Sequence, residues 1–171
     1  MEQFSQVFLF TDTAPGIFGK FRSDLITFAI IFVIGIVMLV ILPKVKNPPI
    51  RHVFSQFAVA GGLAGSLFFI VVSMIYLNFV GIYRGLQDAY DQGIYQIAEG
   101  VVRVSHVQPA GCNETGDLIQ IDHVEFEIND CHGAPFGYSQ TIENNGVLTD
   151  GTYVRVYYTE GKTILRVDVK R

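Results

Sequence analysis

Residues 25–42 read LITFAIIFVIGIVMLVIL, eighteen positions without a charged side chain. At a rise of about 1.5 Å per residue, a helix of this length covers roughly 27 Å, close to the hydrocarbon core of a bilayer. A second uncharged run extends from Val53 to Tyr83, longer than a span needs, and Tyr76, Phe79 and Tyr83 supply an aromatic belt at its far end. A secretory signal peptide does not account for the first run. Such a peptide begins with a positive segment, whereas here MEQFSQVFLFTDTAPGIF precedes Lys20, and the apolar part is too long. A buried helix of a soluble core is a poor account of two such runs in so short a chain. The expectation is therefore a membrane α-hairpin of two transmembrane helices, with the lipid bilayer as its first partner.

The link between the runs, PKVKNPPIRH at 43–52, is short, so the helices are expected to lie antiparallel. Pro48 and Pro49 cannot sit inside a helix and fix a break there. In the second run Gly61 and Gly65 form a small-xxx-small pattern, a helix-packing device in lipid. They are expected to seat the first helix near Gly35, and self-association is the alternative. Orientation follows from the link: Lys44, Lys46 and Arg51 crowd it without an acidic neighbour and point it to the cytoplasm. Lys20, Arg22 and Arg84 flank the other side and tie the count. The tie is broken by Cys112 and Cys131, because a lone cysteine pair in a small β-domain fits an oxidising compartment. The expected site is a bacterial inner membrane with the C-terminal domain extracytoplasmic.

Beyond Tyr83 the composition changes. Residues 1–83 hold five Lys/Arg against three Asp/Glu, and residues 84–171 hold seven against thirteen. An acidic tail excludes a nucleic-acid surface, which needs clustered Lys and Arg. RGLQDAYDQG keeps helix-forming residues and ends on Gly93, a suitable C′ position, so the second helix is expected to run on as a stalk. The rest reads as strands. Val124, Phe126 and Ile128 alternate with His123, Glu125 and Glu127; Val154, Val156 and Tyr158 with Arg155 and Tyr157; Leu165, Val167 and Val169 with Arg166 and Asp168. Period two means one buried and one wet face. Turn signals at Gly111 to Gly116, Asn145-Gly146, Asp150-Gly151 and Glu160-Gly161 separate the runs, and 152–169 is the clearest hairpin. Four or five strands of this length are expected to close as a small SH3- or OB-like barrel, which hides its edges. The organisation is then an N-terminal segment at 1–24, the two-helix hairpin at 25–83, a helical stalk at 84–96 and an all-β domain at 97–171.

The stretches EGVVRVSHVQPAG at 99–111, GDLIQIDHVEFEI at 116–128, GYSQTI at 137–142, DG-x-x-VRVYY at 150–158 and ILRVDV at 164–169 carry a resemblance. They are similar to the C-terminal β-domain of a family of uncharacterised bacterial membrane proteins. The likeness covers most of the soluble domain and little of the membrane part, and it implies no activity. Where that family has a His after the first Gly turn, this chain has Cys112, and Cys131 is also atypical. The two departures together imply that these cysteines pair. Cys112 falls in the turn after the first strand of the domain and Cys131 just after Val124–Ile128, points that a small barrel brings together at one rim.

No catalytic or cofactor signature emerges. Structural zinc wants four ligands at characteristic spacing, whereas the only close pair here is Cys131-His132, whose side chains point to opposite faces of a strand. His106 and His123 complete no ligand set with it. No spacing brings a cysteine and a histidine together as nucleophile and base, and Glu125 and Glu127 sit on a wet face where charges are ordinary. No metal, cofactor or enzymatic activity is expected. The expected role is a membrane-anchored binding or scaffolding module that engages another protein or a copy of itself. The alternatives are an accessory subunit of a membrane transporter or complex, and a thiol-dependent redox or hydrolytic enzyme at the membrane face.

Overall fold

The computed structural model describes residues 3–41, 44, 48–109, 115–131 and 136–171, with side-chain surroundings left undescribed at 38–39, 48–54 and 56–64. The chain divides into two compact units, one of Met1–Pro15 with Ile82–Arg171 and one of Gly16–Gly81.

Two long helices supply the second unit. Helix α1 spans Ala14–Ile41 and α2 spans Pro48–Asp91, so Pro48 opens its helix at a position where a missing N–H costs nothing. Within this unit the helices run antiparallel, read from aromatic pairs that descend on one and climb on the other. Phe21 meets Phe79 with ring centroids 5.1 Å apart, and Phe28 meets Phe68 at 4.2 Å. Apolar side chains such as Ile30, Val33, Leu67 and Met74 remain more than half exposed, Met74 at 67%. A helix that is apolar all round with nothing covering it suits lipid rather than water. Among the described residues one helix segment, Gly65–Asp91 of α2, is long and apolar enough to cross a membrane. Of the link at 43–52, residues 43 and 45–47 lie outside the described residues and 48–52 belong to α2.

The first unit is a six-stranded antiparallel sheet. Its strands are β1 (Phe4–Leu9), β2 (Gln96–His106), β3 (Asp117–Ile121), β4 (Val124–Ile128), β5 (Tyr153–Tyr158) and β6 (Ile164–Lys170), in the spatial order β1-β6-β5-β2-β3-β4. The β-rich C-terminal half and the 152–169 hairpin are as the alternation implies. The barrel is not. Among the described residues β1 and β4 are open edges, so the sheet does not close on itself. The physical reason is β1: the N-terminal strand occupies the outer edge of β6, pairing Phe4 with Lys170 and Gln6 with Asp168, and leaves no edge there for closure.

The sheet curls instead of closing. The long β2 pairs with β5 over Gln96–Val101 and with β3 over Val102–His106, so one strand serves two halves. Between the halves lies the core, in which Val102, Ile121, Val154, Val156 and Val167 are fully buried. Close backbone approaches pin the loops. A Cβ at Gly116 would stand 2.4 Å from the Ile128 carbonyl oxygen, and one at Gly146 would stand 2.3 Å from that of Gln140, so both positions demand glycine.

The end of α2 does not stand free as a stalk. Its last carbonyls are capped where Gly93, at φ 71°, donates to Tyr90 and Ile94 donates to Ala89, the paired bonds of a Schellman motif. Tyr90 then rests on the buried Phe10 at 5.7 Å, while Tyr83 touches both Phe10 and Phe136. The outgoing end of α2 and the segment after β1 are thereby joined to the sheet within one unit.

Candidate functional site

The outward side of β1, β6, β5 and β2 carries rows of side chains that follow from strand register. Glu99 lies opposite Arg155, which lies opposite Asp168. Arg155 Nε donates to Glu99 Oε2 at 2.6 Å, and the Tyr153 hydroxyl donates to Glu99 Oε1 at 3.2 Å. The hydrogen bond from Arg155, partly opposed by desolvation, holds the Glu99 carboxyl below its ordinary value, and the same bond raises the Arg155 guanidinium. Arg166 Nε donates to Asp168 Oδ1 at 2.8 Å; Asp168 is almost wholly buried, and this bond pushes the Arg166 guanidinium up. Each cation also caps a ring: Arg155 over Phe4 at 4.2 Å, Arg166 over Tyr157 at 5.0 Å and Lys170 over Tyr153 at 4.7 Å. Ile97 and Val101 stand exposed beside them. Aromatic rings and arginines of this kind dominate the energetics of protein interfaces.

On the other half of the sheet a cleft of about 420 Å³ opens over β2, β3 and β4. Arg103, Gln120 and Glu125 share one row across the three strands, and Leu118 stands opposite Glu127 in the next. Lys162, held at φ 60° in the β5–β6 turn, also lines the cleft. The arrangement offers a cation at one side and carboxylates at the other, with apolar surface between, and contains no nucleophile set beside a base.

Behind the cleft a polar network centred on the buried Asp117 ties the loops together. Asp117, 1% exposed, accepts the backbone N–H of Gln108 at 2.7 Å and that of Ile142 at 2.6 Å. Asp130 accepts from Gln108 Nε2 at 2.9 Å and from Asn144 Nδ2 at 2.6 Å. The Tyr138 hydroxyl accepts the N–H of Val147 at 2.7 Å, and burial pushes its pKa up. Side-chain hydrogen bonds that reach from one loop to another specify loop conformation, and that structural task accounts for this set. Sequence reading missed it, because its members come from separate loops and nothing in their spacing brings them together.

The residues singled out in the sequence are scattered. Cys131 follows β4, its N–H donating to Asn129 Oδ1 at 2.9 Å, and it is not a free thiol. Cys112 and His132 lie outside the described residues, so the Cys112–Cys131 pairing is taken up below as a proposal. His106 is half-buried on β2, and His123 is exposed in the β3–β4 turn beside Asp122. Among the described residues no group of three or more His, Cys, Asp or Glu side chains is placed to hold a metal ion. Gly65 has open space where a side chain would be, among the described residues, and the surroundings of Gly61 lie outside them.

No protein-family model, curated protein or solved structure matches this chain.

Proposed function

We propose that the chain is a membrane-anchored binding or scaffolding module, in which a two-span hairpin holds the β-domain against the extracytoplasmic face of a bacterial inner membrane. The observation that supports this is the pairing of β1 with β6. Its register runs from Phe4 opposite Lys170 to Leu9 opposite Arg166, so both ends of the chain share one sheet. Strands cannot hydrogen-bond to each other through a bilayer. Residues 4–9 and 164–170 therefore share one side, and the chain between them crosses an even number of times. With α2 as one crossing, α1 with its run 25–42 supplies the return. The binding role is supported by the half-exposed sheet face of Tyr, Arg and Phe, with Ile97 and Val101 exposed beside it.

Membership of the family of uncharacterised bacterial membrane proteins belongs to the same proposal, as does a disulfide between Cys112 and Cys131, the chain's two cysteines. The basic link with Lys44, Lys46 and Arg51 favours the cytoplasm for the hairpin turn. A reporter fused after Arg171 tests the arrangement. Activity is expected from a reporter that requires export and none from one that requires the cytoplasm; the reverse overturns the orientation. Crosslinking in native membranes, followed by mass spectrometry, is expected to recover a protein partner. A bare monomer with a titratable thiol favours the enzymatic alternative, and a large complex of fixed stoichiometry favours the subunit.

A further inference from the structure

The β3–β4 hairpin turns through Asp122-His123, with Ile121 opposite Val124. In a two-residue hairpin the closing pair exchanges both of its ladder bonds, and bonded pairs then alternate with non-bonded ones. Ile119 with Phe126 and Asp117 with Ile128 are thus bonded pairs. Glu125 and Glu127, in the pairs between, turn their backbone N–H and C=O groups away from β3, towards an edge where no strand pairs among the described residues.

Natural edges are blunted by proline, lysine or a bulge. The opposite edge, β1, has a register shift between Gln6 and Phe8. The edge of β4 has none of these devices: VEFEI is regular, and only its two glutamates guard it. We propose, on the reading of this chain as a binding module, that the β4 edge takes an extended segment of another protein as an added strand, with basic and apolar side chains alternating along it.

Charge selects the occupant. Glu125 and Glu127 are exposed on one face, and the Glu125 carboxylate has no ion pair among the described residues. Arg103 stands two strands inward, across Gln120, and Lys162 reaches the cleft from the β5–β6 turn, so the charges carried by β4 itself are both acidic. A second copy is disfavoured. Two β4 strands paired so that Phe126 and Ile128 keep their buried phase would set glutamate opposite glutamate, and like charges directly across a ladder repel. Lysine or arginine at alternate positions of the added strand meets the Glu125 carboxylate and the second oxygen of Glu127, whose Oε1 accepts the Gly116 N–H at 3.1 Å, while the outward N–H and C=O groups supply the ladder.

The test uses the full chain in neutral detergent with labelled peptides, read by fluorescence anisotropy. Thr-Lys-Val-Lys-Val-Lys-Thr is expected to bind saturably, at least tenfold tighter than its glutamate counterpart and than a version with proline at the central lysine flanked by compensating lysines. Glu125→Lys is expected to weaken the lysine peptide at least fivefold and raise binding of the glutamate peptide. Glu125→Pro removes an outward donor but no ladder bond within the hairpin, and is expected to abolish binding at an unchanged melting temperature. If that proline unfolds the domain, Glu125→Lys decides, since it keeps every backbone donor. Equal binding of the lysine and proline-interrupted peptides overturns strand addition, as does an unchanged preference in Glu125→Lys. A native partner that photo-crosslinks through position 155 on the other face and not through position 125 overturns the edge assignment while the binding-module reading stands.

Discussion

Phe126 on β4 meets Tyr158 at the end of β5 edge to face, with ring centroids 5.0 Å apart, although β2 and β3 lie between their strands in the sheet. The contact closes the curl of the sheet over its core. Edge-to-face pairs contribute about 0.5–1.5 kcal/mol beyond the area they bury.

Truncating this contact is the direct test of the core. Phe126 is 2% exposed, so Phe126→Ala is expected to destabilise the first unit by about 3–5 kcal/mol, the range for such cavities. Glu125→Ala, one residue away on the exposed face, is expected to cost less than about 0.5 kcal/mol. Denaturant melts of the two variants check it, and similar losses would contradict the assigned strand phase.

Pairing of the chain ends is tested by a crosslink. Ser5 lies opposite Val169 in the ladder, and facing residues of an antiparallel pair come within about 4.5–5.5 Å between Cα atoms, inside the range that a disulfide tolerates. Ser5→Cys with Val169→Cys, in a chain whose own cysteines are replaced by serine, is expected to form an intrachain bond on mild oxidation in native membranes. Mass-tagging of free thiols reads the result. Two free thiols after oxidation would place the ends apart and remove the argument for an even number of crossings.

Acid and alkali act on different groups. The folded pKa of Glu99 is lowered by Arg155, so its contribution is present above the ordinary carboxylate value and lost as pH falls through the lowered one. Being at the surface, the pair contributes little, and Glu99→Gln is expected to flatten the acid limb of stability slightly. Tyr138 runs the other way. Burial raises its folded pKa, so its contribution is present below the ordinary tyrosine value near 10 and lost as pH rises through the raised one. Tyr138→Phe is expected to flatten the alkaline limb and to cost about 1 kcal/mol at neutral pH, by leaving the Val147 N–H unsatisfied. Melts of wild type and both variants across pH check the signs.

The proposed Cys112–Cys131 bridge predicts a reducible stabilisation. Closing a loop of this length is expected to contribute about 3 kcal/mol in the chain-entropy model. Reductant is expected to lower the melting temperature without changing the circular dichroism spectrum of the folded protein. Alkylation of protein taken directly from membranes reads the native state, and two modified cysteines would rule the bridge out.

The sequence by itself determined what depends on neighbours along the chain. The uncharged run 25–41 lies in one helix, as its composition implies, and alternation in VEFEI or YVRVYY assigns one face of each strand to a core. Gly93 ends its helix because a left-handed residue is needed there, and that too is local. What depends on distant partners was not legible. FSQVFL holds strand-forming residues, but nothing in it names its partner, and it joins the sheet because β6 offers it an edge. The same pairing decided between an open sheet and a barrel. The polar network around Asp117 joins residues 108, 130, 142 and 144, whose approach is a product of packing rather than of spacing. The β4 edge belongs to the same class, since only the strand order leaves Glu125 and Glu127 facing outward. Periodicity reports which side of an element is apolar, and it carries no information about which element comes to lie beside it.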